Sequence, residues 1–234
     1  MTLNDKRPMG LFVTGTDTGV GKTHVAALII RSLRAQGLRV GAYKPAASGC
    51  AQTDEGSLVS DDADALWEAA GRPSSRDDVC PQRFAAPLAP HLAARAAGRS
   101  IEIDAIRAGF EFWSNCSDAI VVEGAGGLFS PLTESLLNID LAREWEMPLV
   151  IVAANRLGTI HATLATVVAA RAHSPALRIT GVVLNCTSTD GDLSRGSNAD
   201  ELRRLLEPYG VPLLAEVGFG DEAIHGCHCW LAQQ

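Results

Sequence analysis

The stretch Gly15-Thr16-Asp17-Thr18-Gly19-Val20-Gly21-Lys22-Thr23 limits what this chain can fold into more than any other. A short apolar, β-prone run, Gly10-Leu11-Phe12-Val13-Thr14, precedes it. Residues 24–33 follow, rich in helix formers and amphipathic in rhythm. A strand, a glycine-bearing loop and Gly-Lys-Thr opening a helix are the setting of a phosphate-binding loop. Glycines let backbone N–H groups turn toward an anion, and the helix N-terminus adds a favourable partial charge. Lys22 can reach β- and γ-phosphates, and the Thr23 hydroxyl can ligate Mg²⁺. The strict pattern wants a glycine at the position of Thr16; here it comes one residue earlier, at Gly15. A plain Gly/Thr-rich turn would have no use for Gly-Lys-Thr on a helix start.

The 234 residues suffice for one sizeable core, and an α/β fold of this length is commonly one domain, so 1–234 reads as a single unit. Charged residues at 20% and hydrophobic residues at 47% fit an ordinary globular chain rather than a disordered one. A formal net charge of -7 argues against a non-specific grip on nucleic acid or anionic membrane. The strongest apolar run, 148–154, is too short to span a bilayer. Residues 1–8 are polar, so no targeting segment is expected, and the scattered cysteines read as reduced thiols in a cytoplasm. His225-Gly226-Cys227-His228-Cys229 has the wrong spacing for a zinc knuckle and reads as a frayed end within a tail, 221–234, of uncertain order.

Further strands are expected at 39–44, 118–123, 148–154, 178–185 and 211–217, and helices at 61–70, 87–98, 103–113, 138–146, 160–173 and 200–209. This alternation implies a doubly wound, mostly parallel sheet with helices on both faces, the P-loop NTPase type of α/β fold. The segment 50–60 is polar, carries Gly56 and reads as a mobile loop. Lys44 falls at the carboxyl end of a strand, the edge where such sheets bind ligands, although a solvated strand end is the plainer reading. Asp61, Asp62 and Asp64 open a helix, where acids complement the dipole; an acid there could equally complete a Mg²⁺ shell. Ile120-Val121-Val122-Glu123 is a buried run ending in an ionisable group, which favours a metal- or water-positioning role for Glu123. The N-terminus of the helix at 160–173 could hold an anion.

Taken together these segments resemble one family, the dethiobiotin synthetases. The resemblance rests on the phosphate loop with its displaced glycine, Tyr43-Lys44-Pro45-Ala46-Ala47-Ser48-Gly49 and Asp62-Ala63. Val122-Glu123-Gly124-Ala125-Gly126-Gly127 and Leu157-Gly158-Thr159-Ile160-His161-Ala162 complete it, in family order over residues 10–186. It implies a cytoplasmic, homodimeric ligase that uses ATP, Mg²⁺ and CO₂ to close the ureido ring on 7,8-diaminononanoate. By resemblance Lys22 and Lys44 are catalytic, and Thr18 and Ser48 hold the diamine or carbamate end. The nucleotide falls to Asp17, Thr18, Gly19, Val20, Gly21, Lys22, Thr23, Asp62, Glu123, Gly124, Ala125, Gly126 and Asn185, with Asn185 reading adenine. Thr23, Asp62 and Glu123 match the metal positions, with Asp61 as the neighbouring alternative. Gly158, Thr159, Ile160 and His161 would take the substrate carboxylate, contributed in the family by the partner subunit. The chain departs from the family at Cys186, where Asp is common, and at Val217-Gly218-Phe219, in place of an Ile-Pro-aromatic run.

Two rival readings remain. Another ATP-dependent amidating or ring-forming synthetase would normally bring a glutamine-hydrolysing domain, for which 234 residues leave no room. A partition-type switch ATPase would usually put a second lysine in the loop, where Thr16 and Asp17 stand.

Overall fold

The structure, a computed structural model, describes residues 9–189 and 191–231. Its central sheet has strands β1 (Met9–Gly15), β2 (Val40–Tyr43), β3 (Ala119–Glu123), β4 (Leu149–Ala154), β5 (Ile179–Asn185) and β6 (Leu213–Val217). They lie in the order β6-β5-β4-β1-β3-β2, and every pairing is parallel. Residues along β2, β3, β4 and β5 are buried at every position. Such burial requires cover on both faces, and it explains why these strands read as continuous apolar runs rather than alternating ones.

The covering helices are α1 (Lys22–Arg34), α2 (Asp61–Ala69), α3 (Arg76–Val79), α4 (Pro90–Ala96), α5 (Ile103–Cys116), α6 (Asn138–Glu144), α7 (Thr159–His173), α8 (Arg195–Leu206) and α9 (Cys227–Leu231). β1 is central: Val13 stands opposite Glu123 on one side and opposite Val150 on the other. Strand order reverses across β1, so the crevice beyond its carboxyl end is the place where open α/β sheets hold ligands.

Several boundaries differ from expectation. The helix expected over 87–98 starts only at Pro90, with Ala89 extended (φ -55°, ψ 144°). A proline is suited to the first helical position, while Pro87 and Pro90 disfavour helix in the residues before them. The helix expected over 200–209 begins earlier, at Arg195, and ends as a 3₁₀ turn, Glu207–Tyr209. α3 was not expected, though its Ser75 and Asp78 form a reciprocal capping box. The 50–60 segment holds a two-residue antiparallel ladder, Ala51–Gln52 with Leu58–Val59.

The described part of the tail is not frayed. α9 packs against α1 and β1, with Cys227, Trp230 and Leu231 buried. Arg178 Nη2 donates to the Trp230 carbonyl at 2.8 Å. Apolar side chains that find a groove over α1 outweigh the fraying expected of a chain end. Residues 232–234 and 1–8 lie outside the described residues.

Candidate active site

β1 delivers the chain into the glycine loop. The Thr16 N–H donates to the Val152 carbonyl at 2.9 Å, so strand pairing with β4 runs one residue past β1. The tight approach therefore falls on Gly15. A Cβ there would lie 2.7 Å from Val20 Cγ2 and 2.8 Å from the Asp17 carbonyl oxygen, which accounts for the displaced glycine. Gly19 and Gly21 take φ of 72° and 85°, left-handed values that suit glycine. The Lys22 ammonium donates to the Asp17 carbonyl at 3.2 Å across the loop mouth. Beneath the loop, Asn185 at the end of β5 donates from Nδ2 to the Val20 carbonyl at 2.9 Å. Asn185 Oδ1 is buried with no hydrogen-bond partner among the described residues.

Facing the start of α1 are three side chains from separate elements. Lys44 follows β2, its backbone N–H held by the Val79 carbonyl at 2.7 Å. Asp62 lies in the first turn of α2, which Ser60 caps by accepting the Ala63 N–H at 3.3 Å. Glu123 ends β3 and is 1% exposed. Lys44 Nζ lies 2.6 Å from Glu123 Oε1 and 2.8 Å from Asp62 Oδ2. Thr23 Oγ1 lies 2.8 Å from Asp62 Oδ1 and 2.9 Å from Glu123 Oε1. Asp61 is exposed and stands outside this cluster.

The electrostatics follow from burial and neighbours. Burial works against the charged form of Lys44, yet Glu123 and Asp62 outweigh it and hold the ammonium above its usual pKa. Burial likewise opposes ionised Asp62, and the Lys44 charge overrides it, so Asp62 titrates below the usual carboxylate range. Lys22 is shifted down, by burial first and by the nearby Lys44 charge, with Glu123 opposing.

A cavity of about 610 Å³ joins the loop to the cluster. Thr18, Gly19, Gly21, Lys22, Thr23, Lys44, Ser48, Asp62 and Glu123 line it, with Ala125, Gly126 and the segment from Pro87 to Pro90 as its other walls. Gly158, Thr159, Ile160 and His161 do not line it. They open α7 beyond β4, with Gly158 at φ 92° and no acid in the helix's first turn.

Two residues of the site carry no signal in the sequence. Asn138, at the start of α6, is 1% exposed. It donates from Nδ2 to the Ala125 carbonyl at 2.7 Å and the Gly127 carbonyl at 2.9 Å. Ser130 Oγ accepts the Gly127 N–H at 2.9 Å. Together they shape the 124–127 wall. A buried asparagine far along the chain carries no local signal of this contact.

The donor set of Thr23, Asp62 and Glu123 is all oxygen, and Glu123 Oε2 is buried with no partner among the described residues. These features fit a hard divalent cation such as Mg²⁺. Among the described residues, no group of three or more His, Cys, Asp and Glu side chains gathers as a metal centre, the His/Cys-bearing tail included.

A parallel sheet with a glycine loop leading into Gly-Lys-Thr at a helix start defines a P-loop nucleotide-binding fold. A family profile described as an AAA domain matches residues 9–222. The chain is 43% identical to the ATP-dependent dethiobiotin synthetase BioD of Rhodopirellula baltica over 216 residues, 88% of this chain and 82% of that one. It is 43% identical to the protein so named in Anaeromyxobacter dehalogenans strain 2CP-C, covering 88% and 89%. For that of Bacillus cereus strain B4264 the identity is 38%, covering 90% and 83%. The chain belongs to the ATP-dependent dethiobiotin synthetase family.

Proposed function

We propose that this chain is an ATP- and Mg²⁺-dependent enzyme that carboxylates 7,8-diaminononanoate with CO₂ and closes the ureido ring of dethiobiotin. The observation that carries this reading is a single cavity running from the phosphate loop to Lys44 and Ser48. One amine adds to CO₂ and loses a proton, giving a carbamate. A carbamate oxygen attacks the γ-phosphorus of ATP, and ADP leaves. The second amine attacks the carbonyl carbon of the resulting carbamic–phosphoric anhydride, and phosphate departs as the ring closes.

The chemistry needs two reactants aligned and positive charge where phosphoryl and carbamate meet. Lys22 and Lys44 supply that charge. Thr18 and Ser48 hold the diamine or carbamate end. Thr23, Asp62 and Glu123 hold Mg²⁺, which when bound neutralises phosphate charge. Asp17 to Thr23 and the Gly124, Ala125 and Gly126 wall cradle the nucleotide. Asn185 Oδ1, an acceptor without a partner among the described residues, suits the exocyclic amine of adenine.

The N–H groups from Gly158 to His161 take the substrate carboxylate of a partner subunit. Their position away from this chain's own cavity supports a homodimer. So does the outward face of α7, where His161, Ala165, Val168 and Ala172 are exposed beside Leu157, itself 82% exposed. Burying such apolar surface against a second copy is favourable. The enzyme acts as one domain over 1–234, in the cytoplasm; no described helix is long and apolar enough to cross a membrane.

Phosphate release from Mg·ATP, measured with and without the diamine and bicarbonate, tests the reading. Release that requires both, with dethiobiotin formed in step, is expected. Slow release indifferent to both would overturn it.

A further inference from the structure

Thr23, Asp62, Lys44 and Glu123 form a closed ring. The Lys44 ammonium bridges Glu123 Oε1 at 2.6 Å and Asp62 Oδ2 at 2.8 Å. Thr23 Oγ1 closes the other side, 2.9 Å from the same Glu123 oxygen and 2.8 Å from Asp62 Oδ1. The hydroxyl has one hydrogen to share between two carboxylate oxygens, so Thr23 offsets little of their charge. The Lys44 ammonium, bonded to both carboxylates, is the group that offsets it. Lys44 and Glu123 are 3% and 1% exposed, so water screens their attraction little. Lys44 thus draws on the same Glu123 oxygen that Thr23 shares and on the second oxygen of Asp62. An ammonium and a divalent ion cannot both hold these oxygens at such distances without strong like-charge repulsion.

We propose that Lys44 is the resident cation of the metal site. In the nucleotide-free protein its ammonium occupies the carboxylate pair, and the metal enters with the nucleotide's phosphates by displacing it into the cavity. The inference rests on the assignment of Thr23, Asp62 and Glu123 as metal ligands. A lysine that stayed between two carboxylates would have its charge largely neutralised. Once displaced, it carries a full positive charge to the reacting oxygens. Loading the metal and arming the lysine are then one event, and free metal binds weakly without nucleotide.

Mn²⁺ binding followed by electron paramagnetic resonance tests this, in the wild type and in Lys44→Met, with and without a non-hydrolysable ATP analogue. Without nucleotide, Lys44→Met should bind Mn²⁺ at least tenfold more tightly than the wild type, and adding Glu123→Gln should remove the gain. The wild type should reach comparable affinity only with the analogue present. Equal weak binding by wild type and Lys44→Met without nucleotide, beside Glu123-dependent binding with the analogue, would overturn the inference and leave the ligand assignment standing. No Glu123-dependent binding under any condition would overturn the ligand assignment and the inference with it. A wild-type measurement covers the chance that Lys44→Met folds poorly. The ¹⁵Nζ resonance of Lys44 should move on adding Mg²⁺ with the analogue and not on adding Mg²⁺ alone. The same shift with Mg²⁺ alone would sink the proposal.

Discussion

The side-chain amide of Asn185 occupies the space that a side chain on Gly21 would need. A Cβ built on Gly21 falls 2.1 Å from Asn185 Nδ2, while the same amide holds the Val20 carbonyl at 2.9 Å. The end of β5 therefore shapes the floor of the phosphate loop, although the two residues are far apart in sequence.

Gly21→Ala should for this reason be damaging twice over. The left-handed φ of 85° costs a residue with a Cβ about 1–2 kcal/mol, and Asn185 must also move. A lowered Tm together with loss of nucleotide binding by calorimetry is expected. A variant that binds ATP as the wild type does would remove the packing role given to this pair.

Lys44→Ala should abolish ring closure while the far-UV circular dichroism stays native. Removing a charge aimed at a transition state commonly costs about 10²–10³-fold in rate. It also leaves Glu123, 1% exposed, without its ammonium partner, so Tm should fall as well. Near-wild-type synthesis of dethiobiotin would take Lys44 out of the mechanism.

Much of the architecture could be read from the chain because buried parallel strands are continuous apolar runs with breakers at both ends. All six expected strands lie in the central sheet. Lys22 and Thr23 could be placed because the loop motif is local. The contact between Lys44 and Asp62 could not, since it depends on how α2 is set against the end of β2. Pattern alone leaves a helix-dipole role and a metal role even for these acids, and resemblance alone selects Asp62 over Asp61; the fold puts Asp62 beside Thr23. The order of the tail is hidden from the sequence for a similar reason: it comes from docking α9 onto α1, which no window of sequence contains.

Asn138→Ala isolates a residue seen only in the fold. Its amide donates to two carbonyls of the wall beside Gly126, and deleting it leaves buried acceptors unpaired, about 1–3 kcal/mol. Stability should drop by that order in a denaturant titration, and KM for the nucleotide should rise. An unchanged midpoint would mean that water replaces the amide without loss.

Thiol labelling reads the tail directly. Burial pushes the Cys227 thiol up to about 11 and the Cys80 thiol up to about 12, so neither ionises appreciably near neutral pH. Cys116 and Cys229 are exposed. Mapping iodoacetamide adducts on the native protein at pH 8 should find Cys116 and Cys229 modified first, with Cys50, Cys80 and Cys227 protected until unfolding. Cys227 labelled as fast as Cys229 would mean that α9 leaves α1.

The place of β1 between β3 and β4 bears on how the protein is made. Glu123, which Thr23 of its phosphate loop touches, is made 100 residues after Thr23, and the Asn185 that braces Val20 is made 165 residues after Val20. Parallel pairing at such separations is slow, because long loops must close before any contact rewards them. A nascent chain thus carries the loop's sequence long before it has the loop's shape. Nucleotide, which binds the finished arrangement, can lend stability only after β5 has been threaded into the sheet.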